Sequence, residues 1–171
     1  PDSAPVSGTT FDINYEAEPT IAAFHWSNAF YRSVRGPLGS GKSVGVGVIE
    51  ILRRAREQAP DARGVRRTRW GVIRNTYPML ISTTIKTVQD WIPESVAKIV
   101  HNPLLCMRLR IAEKDGTTVD CEVFFVSFDK PDDVGKLKSM DLTGIWLNEV
   151  SELGKDVWDM STGRVGRYPP K

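Results

Sequence analysis

Eight consecutive residues, Gly36-Pro37-Leu38-Gly39-Ser40-Gly41-Lys42-Ser43, match the phosphate-binding pattern G-x-x-x-x-G-K-[ST] at every fixed position. Glycines let a backbone curl until its N–H groups converge on the phosphates of a nucleotide, and the positive end of a following helix adds to that field. Lys42 is then expected to neutralise charge between the terminal phosphates, and the Ser43 hydroxyl to ligate Mg²⁺. ATP and Mg²⁺ are the expected cofactors. The pattern alone does not separate kinases, GTPases and motors.

A second motif narrows the choice. Ile145-Trp146-Leu147 is an apolar run that stops abruptly at Asn148-Glu149, with Glu149 standing 107 residues after Lys42. A buried strand of this kind delivers its last polar side chains to the sheet edge where phosphates bind. Glu149 is the expected general base for an attacking water. Asn148 occupies the place where motor ATPases usually carry Asp, and its amide oxygen can still accept a hydrogen bond from a Mg²⁺-bound water. The missing charge weakens such a metal site and leaves Glu149 as its one carboxylate. A strand that merely ends in polar residues is the bland alternative.

These residues need elements to hold them. Phe30 to Arg35 reads as a short strand feeding the glycine-rich turn, and Val44, Val48, Ile51, Leu52 and Ala55 then recur at helical spacing. Pro60 and an Arg/Gly stretch end that helix, and Trp70 to Arg74 reads as a second buried strand. A helix is expected from near Ser82 or Thr83 to about Trp91, before Pro93. Asp115-Gly116 marks the turn of a hairpin between Leu105–Ala112 and 119–128. A three-residue loop would pair Ile111 with Cys121, Leu109 with Val123 and Arg110 with Glu122, keeping one face apolar, and this register is favoured over the two-residue alternative.

Composition sets outer bounds. At 171 residues and 40% hydrophobic content there is apolar surface for one core and hardly for two, so residues 1–23 read as a polar arm and 24–171 as one domain. Pro1 at the start and Pro169-Pro170-Lys171 at the end are expected of a fragment. No run of 18 apolar residues and no charged-then-apolar leader occurs, which predicts a soluble, intracellular protein with no membrane partner. Cys106 and Cys121 make no disulfide framework or metal cluster and are expected as reduced thiols, while His25 and His101 have no partner pattern. The five tryptophans read as packing residues. Residues 53–69 hold seven Arg against Glu57 and Asp61, a local +5 in a chain of net +2; this is a phosphate- or subunit-facing patch, or a solvated helix face.

In order along the chain, Phe24-His25 through Phe30, Arg35 through Ser43, Arg74-Asn75-Thr76-Tyr77-Pro78, Thr83-Thr84-Ile85-Lys86-Thr87, Leu142 through Glu149 and Arg164-Val165-Gly166-Arg167-Tyr168-Pro169 resemble the ATPase half of the large terminase subunits of tailed bacteriophages. These blocks span roughly residues 24 to 169. The resemblance implies an α/β P-loop NTPase of the additional-strand, catalytic-Glu (RecA-like) type, a mostly parallel sheet flanked by helices with a hairpin insertion near 105–127. It implies an ATP-hydrolysing motor that drives double-stranded viral DNA into a capsid. The working partners would be a portal protein, a small terminase subunit and further copies in a homo-oligomeric ring, in the cytoplasm of the infected host and not in the mature virion.

The same resemblance places an adenine pocket among Phe24, Phe30, Tyr31 and Arg32, with packing as the equal alternative. It offers Arg35 as an arginine finger acting within the subunit, Lys138 as a weaker candidate acting on a neighbour's site, and Arg164 and Arg167 as contacts to DNA or a neighbour, or as a solvated loop. In this architecture the strand between the P-loop strand and the acidic strand comes later in sequence than the acidic one, and only residues 150–171 remain to supply it. It is expected to be missing here together with the coupling motif and the nuclease domain, leaving a weak or inactive hydrolase. A kinase with a small acceptor, or a module that only holds nucleotide, remain the rival readings.

Overall fold

Strand β1 (Val65–Arg74) is the spine of the sheet, because Thr68, Trp70 and Val72 give it a buried side of β-branched and aromatic residues along much of its length. The computed structural model describes residues 8–37, 39–101, 103–129 and 131–170. β1 pairs in parallel with β4 (Thr118–Ser127) from Val65↔Thr118 to Arg74↔Ser127, and with β5 (Gly144–Leu147) from Trp70↔Gly144 to Ile73↔Leu147. β3 (Leu105–Ala112) runs antiparallel to β4, and β2 (Ile99–His101) antiparallel to β3. The order is therefore β2-β3-β4-β1-β5, with only β3 reversed and β5 at an edge.

Helices cover one face of this sheet. A π-wound stretch, Ser43–Ile49, runs on into α2 (Glu50–Glu57). α3 (Tyr77–Met79), a π-wound Leu80–Ile85 and α4 (Lys86–Trp91) form a second continuous rod. Val48, Leu52, Leu80 and Val88 from these rods meet Val72, Leu109 and Val123 of the sheet in the main core. The opposite face is covered only in part, where the 3₁₀ segment Pro131–Ser139 and α5 (Lys155–Thr162) enclose Ile73, Val126, Leu137, Leu142 and Val157. No helix among the described residues is long and apolar enough to cross a membrane.

Several local expectations are corrected. Residues 30–35 form no strand: Phe30 and Tyr31 turn outward and Arg32 is drawn to Glu50, so the segment runs outside the sheet. Within the expected polar arm, α1 (Pro19–Trp26) forms with Pro19 in its first turn, where a missing N–H costs nothing, and buries Ile21 and His25. Upstream of it Thr9 bridges Ile111, and Phe11 and Ile13 lie on the core. The rod expected near Ser82 begins at Tyr77, because Pro78 sits in its first turn and the Asp129 carboxylate accepts the Tyr77 N–H at 3.0 Å.

The hairpin keeps its apolar face but shifts by two residues, pairing Ile111 with Val119, Leu109 with Cys121 and Arg110 with Asp120. Its loop again holds three residues, but they are Lys114-Asp115-Gly116, one position earlier than expected. Glu113 donates to the Thr117 carbonyl at 2.9 Å, and Asp115 accepts from the Thr117 N–H at 2.9 Å. A two-residue slip preserves which side chains face inward, which is why the core is unaffected. Cys106 and Cys121 are both free.

Gly47 is where the helix meets the edge strand. A Cβ placed there would lie 2.5 Å from the Trp146 ring. Alanine gains roughly 1 kcal/mol of helix propensity over glycine, whereas forcing apart a packed contact costs about 1–3 kcal/mol. Gly47→Ala is therefore expected to lower the urea midpoint, and a variant more stable than the parent would contradict the close approach.

Candidate nucleotide site

The glycine-rich loop has the left-handed turns its composition allows. Gly39 has φ 75° and Gly41 φ 69°, values that a residue with a side chain adopts at a cost. The helix starts directly at Ser43. The Lys42 ammonium folds back into the loop, donating to the carbonyls of Gly36 (2.7 Å) and Pro37 and to Ser40 Oγ at 3.1 Å. Ser40 Oγ in turn donates to the Pro37 carbonyl at 2.9 Å. Among the described residues the cation is thus held by neutral acceptors, a set that an anion could outcompete. Leu38 lies outside the described residues.

Glu149 follows β5 at once. It is the one non-glycine residue with positive φ among those described (58°, ψ 60°), and it is exposed. The Gly47 contact on Trp146 links the two motifs: four residues before Gly47 is Ser43, and three residues beyond Trp146 is Glu149.

Asn148 faces the other way. It is buried, and its side-chain amide donates to Thr84 Oγ1 at 2.8 Å, while its backbone N–H donates to the Ile73 carbonyl at 2.9 Å. Arg74, at the end of β1, is also buried, donates to Glu152 at 3.0 Å and reaches the Asn148 carbonyl at 3.4 Å. Arg74 and Thr84 therefore brace the turn that presents Glu149. Arg74 Nε has no hydrogen-bond partner among the described residues. Sequence reading placed both residues in resembling blocks without a role. The available signal was a strand that ends in a charged residue.

The remaining candidates are scattered. Arg35 is exposed beside the loop, and Lys138 is exposed on the 3₁₀ segment. Arg164 and Arg167 serve through their backbones, which hydrogen-bond Leu142 just before β5. Phe30 is exposed and packs edge-on against Tyr31, which stacks on Trp158 of α5 at 5.2 Å. A groove of about 430 Å³ lies between α1 and the residues leading into the loop, lined by Phe24, Tyr31, Arg32 and Arg35 but not by Phe30.

Arg32 belongs to a cluster that sequence reading missed. Glu50, buried in α2, accepts from Arg32, from Arg54 Nε (2.7 Å) and bonds His25 Nδ1 at 2.6 Å. Arg32 also donates to the Phe24 carbonyl at 3.2 Å and lies over that ring, 4.5 Å from its centroid. A carboxylate amid the apolar positions of an amphipathic helix was the signal. Burial pushes the Glu50 pKa up, but hydrogen bonds from Arg54, Arg32 and His25 outweigh it and hold the carboxyl below its ordinary value. Among the described residues no group of three or more His, Cys, Asp or Glu could hold a metal ion.

The element order, the parallel centre of the sheet and the helical cover define a mixed α/β domain of terminase-like fold. The large terminase of a thermophilic bacteriophage matches it with a TM-score of 0.57 at 13% identity, over 77% of this chain. This chain spans 30% of the length of that protein. At such identity the likeness is one of fold. No protein-family model matches the chain, and no curated protein sequence does.

A lowered carboxyl pKa stabilises the fold above the unfolded value, near 4.5, and that contribution is lost as pH falls through the lowered folded value. Removing one member of a buried ionic cluster costs about 3 kcal/mol. Glu50→Gln is therefore expected to lower stability at neutral pH by about that amount, with the gap to the parent narrowing below pH 4.5. Urea titrations across pH that show a constant gap would remove Glu50 from this role.

Proposed function

We propose that this chain is the nucleotide-hydrolysing part of a motor that moves double-stranded viral DNA into a capsid. What supports the reading is one arrangement: a loop with left-handed Gly39 and Gly41 leads into a helix that packs through Gly47 on Trp146, three residues before Glu149. The terminase-like fold agrees with it. Loop amides and Lys42 bind the phosphates in this proposal, with Lys42 exchanging its carbonyl partners for phosphate oxygens. Glu149 takes a proton from water as that water attacks the γ-phosphorus; the bond to the ADP oxygen breaks and ADP leaves. Arg35 is the candidate for charge stabilisation from within the subunit.

Mg²⁺ suits the donors present, because it keeps several waters and needs few protein ligands. The Ser43 hydroxyl would hold it, and bound there it would neutralise charge between phosphates. Asn148, whose amide already donates to Thr84, would have only its oxygen left to accept from a metal-bound water. That inward amide favours a second reading, a nucleotide-holding module of low turnover.

The wider assignment follows from the motor reading: a homo-oligomeric ring, a portal protein, a small terminase subunit, and the cytoplasm of an infected bacterial host. Glu149→Gln is expected to cut phosphate release by about 10²–10⁴-fold while fluorescent ATP analogue still binds, and Lys42→Ala to lose binding. Unchanged turnover in Glu149→Gln sinks the base assignment. Both variants are made in the full-length protein, where nucleotide binding without measurable turnover in the parent selects the holding module.

A further inference from the structure

The face of the sheet turned away from the main core is covered only toward the C-terminal ends of β1 and β4, by the 3₁₀ segment and α5. Among the described residues the other half is bare and carries two rows of charge. The pairing register sets Arg108 of β3 opposite Glu122 of β4, which is opposite Arg69 of β1; the next row runs Arg110, Asp120, Arg67. Each row is one carboxylate flanked by two guanidinium groups.

The carboxylates are already engaged from within. Asp120, buried, accepts from Arg108 at 2.7 and 2.6 Å and from Arg67 at 3.2 Å, and Glu122 accepts from Arg69 at 2.9 Å. Asp61 adds a third acid beside Arg67. Among the described residues Arg110 comes no nearer to a carboxylate than 3.9 Å from Asp120, and its side chain is 47% exposed, like that of Arg108 at 45%. The surplus cation thus lies on β3, the outer strand of the pair. Tyr168 packs its ring 4.3 Å from the Arg69 guanidinium, and the exposed Arg167 precedes it in the chain, so this residue stands at the rim of the same surface.

We propose that this bare half-sheet, from Arg67 and Arg69 across to Arg108 and Arg110, binds the phosphodiester backbone of duplex DNA. The choice of occupant rests on the motor reading; the surface itself rests on charge. Guanidinium groups match the paired anionic oxygens of a phosphodiester in geometry as well as sign. Short rows of charge on a sheet face offer nothing to enter a groove, so contact is with backbone and blind to sequence. Asp120, Glu122 and Asp61 hold Arg67, Arg69 and Arg108 in alignment and leave the array one positive charge in surplus, with Arg110 the least engaged.

The test is fluorescence anisotropy of the chain with a labelled duplex of mixed sequence across a salt series. Arg108→Ala/Arg110→Ala is expected to reduce the slope of log affinity against log salt by about 1.8, roughly 0.9 for each lost phosphate contact. Glu122→Gln, which removes a negative charge and releases Arg69 while Asp120 still holds Arg108, is expected to tighten binding, a change of sign that misfolding does not produce. An unchanged slope in the double variant overturns the proposal. So does loss of affinity for polyglutamate without loss for duplex, which would make an acidic protein surface the occupant. Phosphate release measured without DNA should stay at the parental rate in the double variant. If Glu149→Gln fails to alter turnover while the slope still falls, the hydrolase reading fails and this surface stands.

Discussion

A tryptophan ring pressed on bare helix backbone decides where the glycine-rich loop stands. Trp146 fills the space a side chain at Gly47 would need, and on the same helix Gly45 admits Ile21 and the Tyr15 hydroxyl, each 2.6 Å from a notional Cβ. Two glycines two positions apart therefore let strand β5 and helix α1 both approach the rod that begins at Ser43. The π-winding of Ser43–Ile49 accompanies these contacts: the Glu50 N–H reaches back to the Gly45 carbonyl, widening the turns that carry the glycines. Without this approach, the loop and the acid at the end of β5 would be unrelated features of one chain.

Charge is managed by a recurring device. Glu50 and Asp120 are both buried, and each is surrounded by several cations instead of one. A single ion pair in such a place seldom recovers its desolvation cost, whereas several donors satisfying every lone pair can. Glu50 ties α1 and the residues before the loop to the helix after it. Asp120 ties three strands together. Both devices hold in place arginines that a charge count alone would assign to a solvated face.

What the sequence made legible follows local physics. The loop, its helix, the acidic strand and the hairpin were readable because each has a periodicity or turn signature that holds whatever surrounds it. The segment 30–35 was not, since its aromatic content imitates a strand while Phe30 and Tyr31 find partners in each other and in Trp158. Asp115-Gly116 located a turn but not which three residues form it, and a shift of the loop by one position moved the register by two. The helix at Pro19 was hidden by its short, polar surroundings. Of the candidate site, residue types were legible and long-range partners were not: Glu50 with His25, Arg74 with Asn148 and Thr84 with Asn148 are separated by 25, 74 and 64 positions.

The left-handed backbone at Glu149 bears on how this position can change over generations. Glycine would sit there with roughly 1 kcal/mol less strain, so drift toward a sturdier fold pulls against the acid. A lineage that keeps glutamate has kept it for the side chain, against the preference of the main chain. Where no task holds the side chain, glycine or asparagine is the residue this backbone favours.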